Sequence, residues 1–408
     1  MSYFLLPNLE SNPPLAPARV SFAWALLACS LVLLWQFLTV HYNRSGNWTA
    51  LFCTGQNQPV PPELAAQTYR FPGTNGYDGQ MYRYVAHDPF LQKGFAQYLD
   101  SPVLRYRRIL VPALAFLLAG GRQPWIDASY VVVVAAFTWL GSYWLSRYAV
   151  ALGFHPAWAL AFLLVPATLV SMDRMTVDGA LAALTAGVAY FSVTRSSVRL
   201  FVVLVLACLT RETGGLLVAG CCLFELAARH FTRALLWSTS CLPALGWYLF
   251  LNGHLHVVTA AAGVPRWVYR RLGPGILGRL FHPLPYPFPR AVELLAQSLD
   301  VMALTGIVLA AMAAILLLRV RPPSTSTLAA VCFVALAAVL TSPHFWDHCY
   351  NFARVFSPLL LLIIIEAMAW QPRRSWCWLA VVPTVLVDSR VALELGSQVL
   401  VILRGLMS

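Results

Sequence analysis

Apolar runs of helix length alternate along this chain with short polar or basic turns. Because about 20 apolar residues in a helix cross the roughly 30 Å hydrocarbon core of a bilayer, each run predicts a membrane-spanning segment. The pattern predicts an all-α, polytopic integral membrane bundle of about 11 spans, in one domain over residues 1–408. No internal repeat and no Gly/Ser linker divides the chain. The predicted spans are residues 20–40, 125–146, 157–172, 179–194, 198–210, 214–228, 234–251, 293–318, 327–342, 355–370 and 376–389.

The arginines predict which ends of the spans face the cytoplasm, since basic short loops stay on that side. We take residues 1–19 as a cytoplasmic leader and the first span as a retained signal-anchor. Successive inner turns then carry Arg147, Arg195 and Arg199, Arg229 and Arg233, Arg319 and Arg321, and Arg373 and Arg374. We therefore expect a multi-pass protein of the cytoplasmic (inner) membrane, whose N-terminus is cytoplasmic and whose loops 41–124 and 252–292 are extracytoplasmic.

Loop 252–292 is rich in arginine and proline, which opposes this orientation because outer loops usually lack basic residues. Fusing the runs 198–210 and 214–228 would also invert everything downstream. We keep the two runs separate because fusion would place later basic turns outside. In this orientation the loop predicts an interfacial helix followed by an extended Pro-rich strap, which binds phosphate-bearing lipid or ordinary anionic lipid.

The composition excludes several classes of protein. Hydrophobic residues make up 59% of the chain and charged residues 11%, whereas a soluble domain has about 25% charged residues. The chain is therefore not a soluble globular, disordered or disulfide-stapled protein. Its net charge of +12 comes from basic residues dispersed between apolar runs, which predicts membrane lipids and not nucleic acid as partners. Its nine cysteines include no CxxC pair, so we predict no structural zinc site.

Acidic residues are scarce, and most fall on the predicted outer face. Ionisable groups at membrane depth are costly and usually mark a functional site. The sharpest cluster is Gly76-Tyr77-Asp78-Gly79-Gln80, whose glycines permit a tight turn and close approach of the backbone to a ligand. We predict Asp78 as a catalytic general base. The predicted substrate-binding residues around it are Tyr77, Gln80 and Tyr82. The alternative is an ordinary Asp-Gly surface turn.

A basic segment, Arg105-Tyr106-Arg107-Arg108, follows in the same loop and precedes the apolar run 109–118. At about ten residues the run is too short to span a bilayer. It predicts an amphipathic helix on the outer leaflet, with Arg107 and Arg108 at the phosphate of a substrate or of ordinary lipid headgroups.

Two further charged turns lie on the predicted outer face. Arg174 and Asp178, in a turn that begins at Asp173, are four residues apart and would share one face of a helix. They either neutralise each other or present the guanidinium of Arg174 to a phosphate. Arg211-Glu212 interrupts apolar sequence between two predicted spans, where the pair either neutralises itself or binds substrate.

The last polar cluster is His344-Phe345-Trp346-Asp347-His348, with Arg354 beyond it. The spacing of the two histidines suits two metal ligands on one helical face, but the Glu of the H-E-x-x-H signature is missing. We predict no metal site and assign His344, His348 and Arg354 to substrate binding. A divalent cation and interfacial packing of His and Trp are the alternatives.

These residues resemble the GT-C glycosyltransferases, membrane enzymes that use polyprenyl-phosphate-linked sugars. Asp78 in Tyr77-Asp78-Gly79-Gln80 matches the acidic position of that family's first loop. The turn from Arg174 to Asp178 is similar to the Arg…Asp turn of its protein-mannosyltransferase-like and lipid-modifying members. The segment 107–121 stands where their interfacial helix lies. The resemblance covers residues 20–250.

The resemblance implies an inverting hexosyl- or pentosyltransferase. It would move a sugar from a polyprenyl-phosphate donor to a lipid, glycan or protein acceptor on the extracytoplasmic face. Asp78 would take the acceptor proton, an arginine or histidine would stabilise the phosphate leaving group, and no cofactor would be required. A flippase or exporter of lipid-linked glycan, or a polymerase or ligase, is the alternative. The nearly charge-free middle of the predicted spans favours chemistry on one face.

Overall fold

The computed structural model describes residues 18–255, 275–286, 289–370 and 374–407, and about 80% of it is helical. The prediction of an all-α helical bundle is confirmed. The predicted leader lies outside the described residues except for its last two positions, which begin the first helix. The helices of the first half are α1 (Ala18–Asn43), α2 (Pro62–Ala65), α3 (Asp78–His87), α4 (Pro102–Arg107), α5 (Leu110–Leu118), α6 (Gln123–Ala151), α7 (Pro166–Arg174), α8 (Asp178–Val193) and α9 (Ser197–Thr210).

The second half of the chain continues the bundle. Its helices are α10 (Gly215–Ala227), α11 (Phe231–Ser238), α12 (Leu242–Leu255), α13 (Gly275–Phe281), α14 (Arg290–Val320), α15 (Thr325–Val339), α16 (Pro343–Trp346), α17 (Cys349–Trp370) and α18 (Val382–Met407). Short 3₁₀ segments cover Trp48–Phe52, Phe95–Tyr98, Pro156–Leu164, Glu212–Gly214, Thr239–Cys241 and Arg374–Val381. Most of the interfacial helix predicted in loop 252–292 lies outside the described residues.

Several helical stretches in the described residues are long and apolar enough to cross a membrane. There are five: Ala18–Asn43, Gln123–Ala151, Phe231–Leu255, Arg290–Val320 and Cys349–Trp370. A sixth would be the pair Pro156–Leu164 and Pro166–Arg174, which is bent by 66°. The bend falls where Pro166 begins α7, because proline disfavours helical backbone at the residue before it. The helices α8, α9 and α15 are apolar but shorter. The predicted count of 11 spans therefore stays a prediction.

The outer surface of the bundle is apolar. Large apolar side chains on α1 and α14 are exposed, among them Leu34, Phe37, Leu295 and Leu316. Soluble proteins rarely leave large apolar patches open to water. This surface is what helices surrounded by lipid require.

The helix α17 forms the centre of the bundle. Nearly all of its side chains are buried, and it packs against α7, α8, α14 and α15. Its first turns carry Arg354, which is also buried. The most enclosed helix therefore brings a cation to the end of the bundle where α17 begins.

The loop between α1 and α6 folds over that same end. Two short parallel strands, β1 (Thr54–Gly55) and β2 (Arg70–Phe71), pair with Thr54 opposite Arg70. The strands shape the chain between α1 and α3, and a bridge between Thr54 and Gly76 continues the pairing up to the start of α3.

An ion pair fixes α3 on the bundle. The fully buried guanidinium of Arg83 donates to both carboxylate oxygens of Asp127, near the start of α6, at 2.8 and 2.7 Å. His87 lies 3.0 Å from the same carboxylate. Because a buried cation without a partner is strongly destabilising, this contact sets the position of α3 and of Asp78 at its first residue.

The opposite end of the bundle holds separate polar contacts. Glu366, near the end of α17, accepts hydrogen bonds from Ser324 at 2.6 Å and Thr327 at 3.0 Å and pairs with Arg321. Glu225, near the end of α10, lies 2.9 Å from His230. The two ends therefore differ, with short paired turns at one and a folded loop at the other.

Candidate functional site

Asp78 lies between two arginines at the loop-covered end of the bundle. One of its carboxylate oxygens accepts from Nη2 of Arg105, in α4, at 2.8 Å. The other contacts Nη2 of Arg354, in α17, at 2.5 Å. Arg105 also donates to Asp100 at 2.8 and 2.6 Å. The side chain of Asp78 is 17% exposed, so one side of it remains open to a ligand.

These charges control the ionisation of Asp78. Burial alone would raise the pKa of its carboxyl, but the charges of Arg105 and Arg354 outweigh burial and hold that pKa well below its usual range. The group is therefore ionised at neutral pH. It is also a weak base for as long as both arginines stay on it, because basicity falls with pKa.

Arg354 also joins this pair to α8. Its Nη1 lies 3.5 Å from Oδ2 of Asp178, the first residue of α8. The other oxygen of Asp178 pairs with Arg211, which follows α9. Asp178 is almost completely buried. Both arginines are therefore needed to balance a carboxylate that water barely reaches.

Tyr82 links a second ion pair to the first. Its phenol oxygen accepts from Nη1 of Arg108 at 2.9 Å and from Nη1 of Arg105 at 3.4 Å. Nε of Arg108 donates to Glu212 at 3.1 Å. Burial raises the pKa of a phenol, but Arg108 and Arg105 outweigh it and lower the pKa of Tyr82. The pKa of Glu212 is lowered against burial too, chiefly by Arg108 and Arg211.

These contacts form one continuous set of side chains, which we call the charge network. Its members are Asp78, Asp100, Asp178, Glu212, Arg105, Arg108, Arg211, Arg354 and Tyr82. The formal charges of its carboxylates and guanidiniums cancel. An anionic ligand that engages one of these arginines therefore competes with a carboxylate that is already paired with it.

Arg174 lies beside the charge network and is held by rings and carboxylates. Its guanidinium lies over the rings of Tyr350 and Tyr77, at 4.1 and 4.8 Å from their centroids. It donates to Glu394, in α18, at 2.8 Å and to Asp173 at 3.4 Å. Stacking and ion pairing together fix the orientation of a planar guanidinium. Arg174 is therefore already positioned without a ligand.

The one-helix geometry predicted for Arg174 and Asp178 is wrong. Met175 has a φ of 47° and ends α7, and Asp178 begins the separate helix α8. The two charges consequently take different partners. Arg211 and Glu212 are adjacent in the chain but also have different partners, since Arg211 pairs with Asp178 and Glu212 with Arg108.

A cavity of about 200 Å³ lies beside Tyr77, on the side where Arg174 stacks. Residues from the end of α1, the first loop, the end of α7 and α18 line it. They include Thr39, Arg44, Tyr77, Asp173, Arg174 and Gln398. Gln398 donates to Asp173 at 2.9 Å, so α18 closes the cavity as well as holding Arg174.

Gly79 and Gln80 serve the loop itself. A side-chain carbon at Gly79 would meet the carbonyl oxygen of Arg174, so only glycine lets α3 rest on the end of α7. The amide of Gln80 accepts from the backbone of Gly55 at 3.1 Å and donates to that of Asn75 at 2.9 Å. At Gly79 the group that comes close is therefore the backbone of Arg174, where a ligand was predicted. The side chain of Gln80, predicted to contact substrate, bonds instead to the backbone of the loop.

Tyr77, Gln80, Asp173 and Arg174 lie beside the charge network, and two further predicted site residues, Arg107 and His348, make none of its contacts. Arg107 lies over the ring of Tyr248, 5.0 Å from its centroid. His348 is exposed to solvent. The side chain of His344 lies outside the described part of the chain.

Several residues of the site were not predicted. Arg105 belongs to the same basic segment as Arg108 and lies three residues before it, so the sequence offered it as a further candidate. Glu394 and Gln398 belong to α18, beyond the last predicted span. The sequence offered one indication of this helix: Arg390 and Glu394 are four residues apart, a spacing that suits an ion pair on a helix, and they lie 3.2 Å from each other.

No group of three or more His, Cys, Asp or Glu side chains in the described residues is arranged to hold a metal ion. No known family model, curated protein or solved structure matches this chain. The class that fold and site define is a helical bundle with several apolar helices of membrane-crossing length. At one end it carries a network of buried arginines that are paired with carboxylates.

Proposed function

We propose that this protein is a membrane glycosyltransferase that moves a sugar from a polyprenyl-phosphate donor to a lipid, glycan or protein acceptor. The observation that carries the proposal is the position of Asp78 between Arg105 and Arg354. A carboxylate can accept the proton of an acceptor hydroxyl, and two fixed cations can neutralise a phosphate leaving group. In this proposal both substrates reach Asp78 through the exposed 17% of its side chain.

In the proposed step, the acceptor oxygen attacks C1 of the donor sugar from the side opposite the phosphate. The bond between C1 and the phosphate oxygen breaks, and its electron pair leaves with the polyprenyl phosphate. The acceptor proton passes to the carboxylate of Asp78. One C–O bond forms as another breaks, so the anomeric configuration is inverted.

The arginines serve two partners in this scheme. Without a donor they hold Asp78 as a weak base, as its lowered pKa indicates. A donor phosphate competes with Asp78 for Arg105 and Arg354. When the phosphate takes them, the carboxylate loses the charges that lower its pKa and becomes a stronger base. The base is thus activated only when the leaving group is already neutralised.

We propose further that the charge network faces the extracytoplasmic side of the cytoplasmic membrane, in a bundle of about 11 spans. Arg147 lies near the end of α6 that is remote from Asp127, and Arg321 pairs with Glu366 at the end remote from Arg354. Basic turns of this kind favour the cytoplasmic side, which supports the orientation.

The rival activities are export of a lipid-linked glycan and its polymerisation or ligation. An exporter of lipid-linked glycan needs polar groups along a path through the helices. Glu366 pairs with Arg321 and Glu225 pairs with His230, both at the end of the bundle remote from the charge network. These glutamates therefore do not mark a polar path through the helices, which favours a reaction at the end that carries the charge network. A polymerase or ligase would share this site and transfer a chain instead of one sugar.

A transfer assay tests the proposal. The full chain is purified into lipid nanodiscs and given radiolabelled polyprenyl-phosphate hexoses and pentoses, with delipidated and native envelope fractions as acceptors. The wild type is expected to transfer label from at least one donor. Asp78→Asn is expected to lower the rate by about 10²- to 10⁴-fold, the usual contribution of a general base, while the protein stays folded.

Asp100→Asn is the matched control. It removes the other carboxylate of Arg105, which is 45% exposed, and leaves Asp78 in place. We expect its rate to stay within about tenfold of the wild type, since exposed ion pairs contribute little. Transfer from none of the donors, or equal rates for wild type and Asp78→Asn, would contradict the proposal.

A further inference from the structure

Three of the residues that line the cavity beside Tyr77 each carry a buried polar atom without a partner among the described residues. Oγ1 of Thr39, the hydroxyl of Tyr77 and Oε1 of Gln398 are all buried and find no hydrogen-bond partner among the described residues. Thr39 itself is only 3% exposed. Native proteins rarely leave buried polar groups unsatisfied, and each such group calls for an explanation. Three such atoms in residues around one cavity indicate that a polar ligand forms the missing hydrogen bonds.

The size of the cavity limits what that ligand can be. Its volume of about 200 Å³ far exceeds the roughly 15 Å³ that one water molecule requires. It is smaller than the roughly 300 Å³ at which pockets for drug-sized ligands begin. One sugar ring fits within this volume.

The chemistry of the unpartnered atoms limits it further. Oε1 of Gln398 can only accept a hydrogen bond, so the ligand must donate one. The hydroxyls of Thr39 and Tyr77 can donate and accept. A phosphate at neutral pH offers mainly acceptors, whereas a sugar hydroxyl offers both. A ligand with several hydroxyl groups therefore satisfies all three atoms together.

The charges around the cavity favour a neutral ligand. Arg174 is paired with Asp173 and Glu394, so its charge is already compensated. Arg44 stacks over Phe71, 4.6 Å from the ring centroid. The carboxylate of Asp173 also lines the cavity, where it is one of the two partners of Arg174. The cavity thus differs from the arginine-rich surroundings of Asp78.

We infer that this cavity is a subsite for one neutral sugar unit, bound through Thr39, Tyr77 and Gln398. The choice of a sugar over other polyols rests on the proposed transferase function. Tyr77 directly precedes Asp78, and its ring lies under the guanidinium of Arg354, which contacts Asp78. The sugar that the subsite holds is that of the donor or that of the acceptor, and the two sources share the same hydroxyl chemistry.

Saturation-transfer NMR on the full chain tests this inference. The protein is placed in nanodiscs, because maltoside and glucoside detergents carry the very group under test. The probes are glucose, mannose, galactose and arabinose, with inorganic phosphate as the charged competitor. The wild type is expected to bind at least one of these sugars and to retain it when phosphate is added.

Thr39→Val and Tyr77→Phe remove a single hydroxyl each and keep the shape of the side chain. Each is expected to weaken sugar binding about fivefold to tenfold, the loss of one hydrogen bond. Neither should lower the unfolding midpoint of the ligand-free protein, because neither hydroxyl has a hydrogen-bond partner to lose among the described residues. Thr185→Val is the matched control, since that buried hydroxyl bonds to Leu181 within α8 and should not affect binding.

Absence of sugar binding, binding that both variants retain in full, or displacement of the sugar by phosphate would overturn the inference. Binding that behaves as expected in a protein without transferase activity would overturn the proposed function and leave the subsite standing. Polyprenyl-phosphate mannose and bare polyprenyl phosphate separate the two sources. A donor subsite predicts that Thr39→Val weakens binding of the first lipid only, and an acceptor subsite predicts that it weakens neither.

Discussion

The guanidinium of Arg354, in the central helix α17, contacts the carboxylate of Asp78, in the loop that follows the first helix, at 2.5 Å. Arg354 also lies beside Asp178 at the start of α8. One side chain therefore ties the first loop to two helices of the core. The placement of the loop and the chemistry of the proposed base depend on the same contact.

Arg354→Gln is expected to destabilise the protein by about 3 to 5 kcal/mol, because it leaves two buried carboxylates short of a cation. Reversible unfolding in mixed micelles measures the change. Arg290→Gln is the matched control, since Arg290 is 74% exposed and pairs with Glu293 at the surface. The control should cost less than about 1 kcal/mol. Equal effects of the two substitutions would contradict the role given to Arg354.

The stability that Asp78 contributes is expected to be lost only in strong acid. Its pKa in the folded protein lies well below the usual value, so the contribution is present above that usual value, about 4, and is lost as the pH falls through the folded pKa. The unfolding midpoints of wild type and Asp78→Asn should therefore differ by a constant amount from pH 7 to pH 5 and converge below pH 4. Convergence already between pH 7 and pH 5 would show that the arginines do not hold the carboxylate.

Tyr82 is expected to ionise before the other buried tyrosines when the pH is raised. Arg108 and Arg105 lower the pKa of its phenol, whereas burial raises the pKa of Tyr106. Ultraviolet difference spectra of tyrosinate measure this. The earliest component of the titration should disappear in Tyr82→Phe and persist in Tyr106→Phe. A titration curve that Tyr82→Phe leaves unchanged would argue against the contacts described for this phenol.

Gly79→Ala is expected to lower stability by about 1 to 3 kcal/mol and to reduce transfer, because the new carbon meets the backbone carbonyl of Arg174 and pushes α3 away from α7. The unfolding midpoint and the transfer rate measure the two effects. Gly246→Ala, where a side-chain carbon meets open space, is the matched control and should leave both unchanged or raise stability. If Gly79→Ala behaved like the control, α3 would not rest on α7 as described.

Apolar periodicity predicted the helical bundle, because burial in lipid and protein selects long apolar runs. Scarcity of charge also directed attention to the segments around Asp78, Asp178, Arg211 and Arg354, which the structure brings into contact. The roles of these residues remain predictions. The apolar pattern shows which residues avoid lipid. Charged residues avoid lipid wherever they lie in the chain, so the pattern identifies them as a group.

The pairing of those charges could not be predicted, because it depends on backbone turns that leave little trace in composition. A single left-handed residue, Met175, separates Arg174 from Asp178 and sends them to different partners. The extended backbone of Arg211 similarly separates its side chain from that of Glu212. Local spacing predicts contacts only within one continuous helix.

The helix α18 follows every other described helix in the chain, yet Glu394 and Gln398 from this helix complete the surroundings of Arg174 and Asp173. During translation, the end of α7 leaves the ribosome long before the residues that will hold it. Arg174 must therefore wait with Glu394, one of its two carboxylate partners, still unmade. Assembly of the pocket is consequently a late event in biogenesis, timed by the arrival of the C-terminal helix.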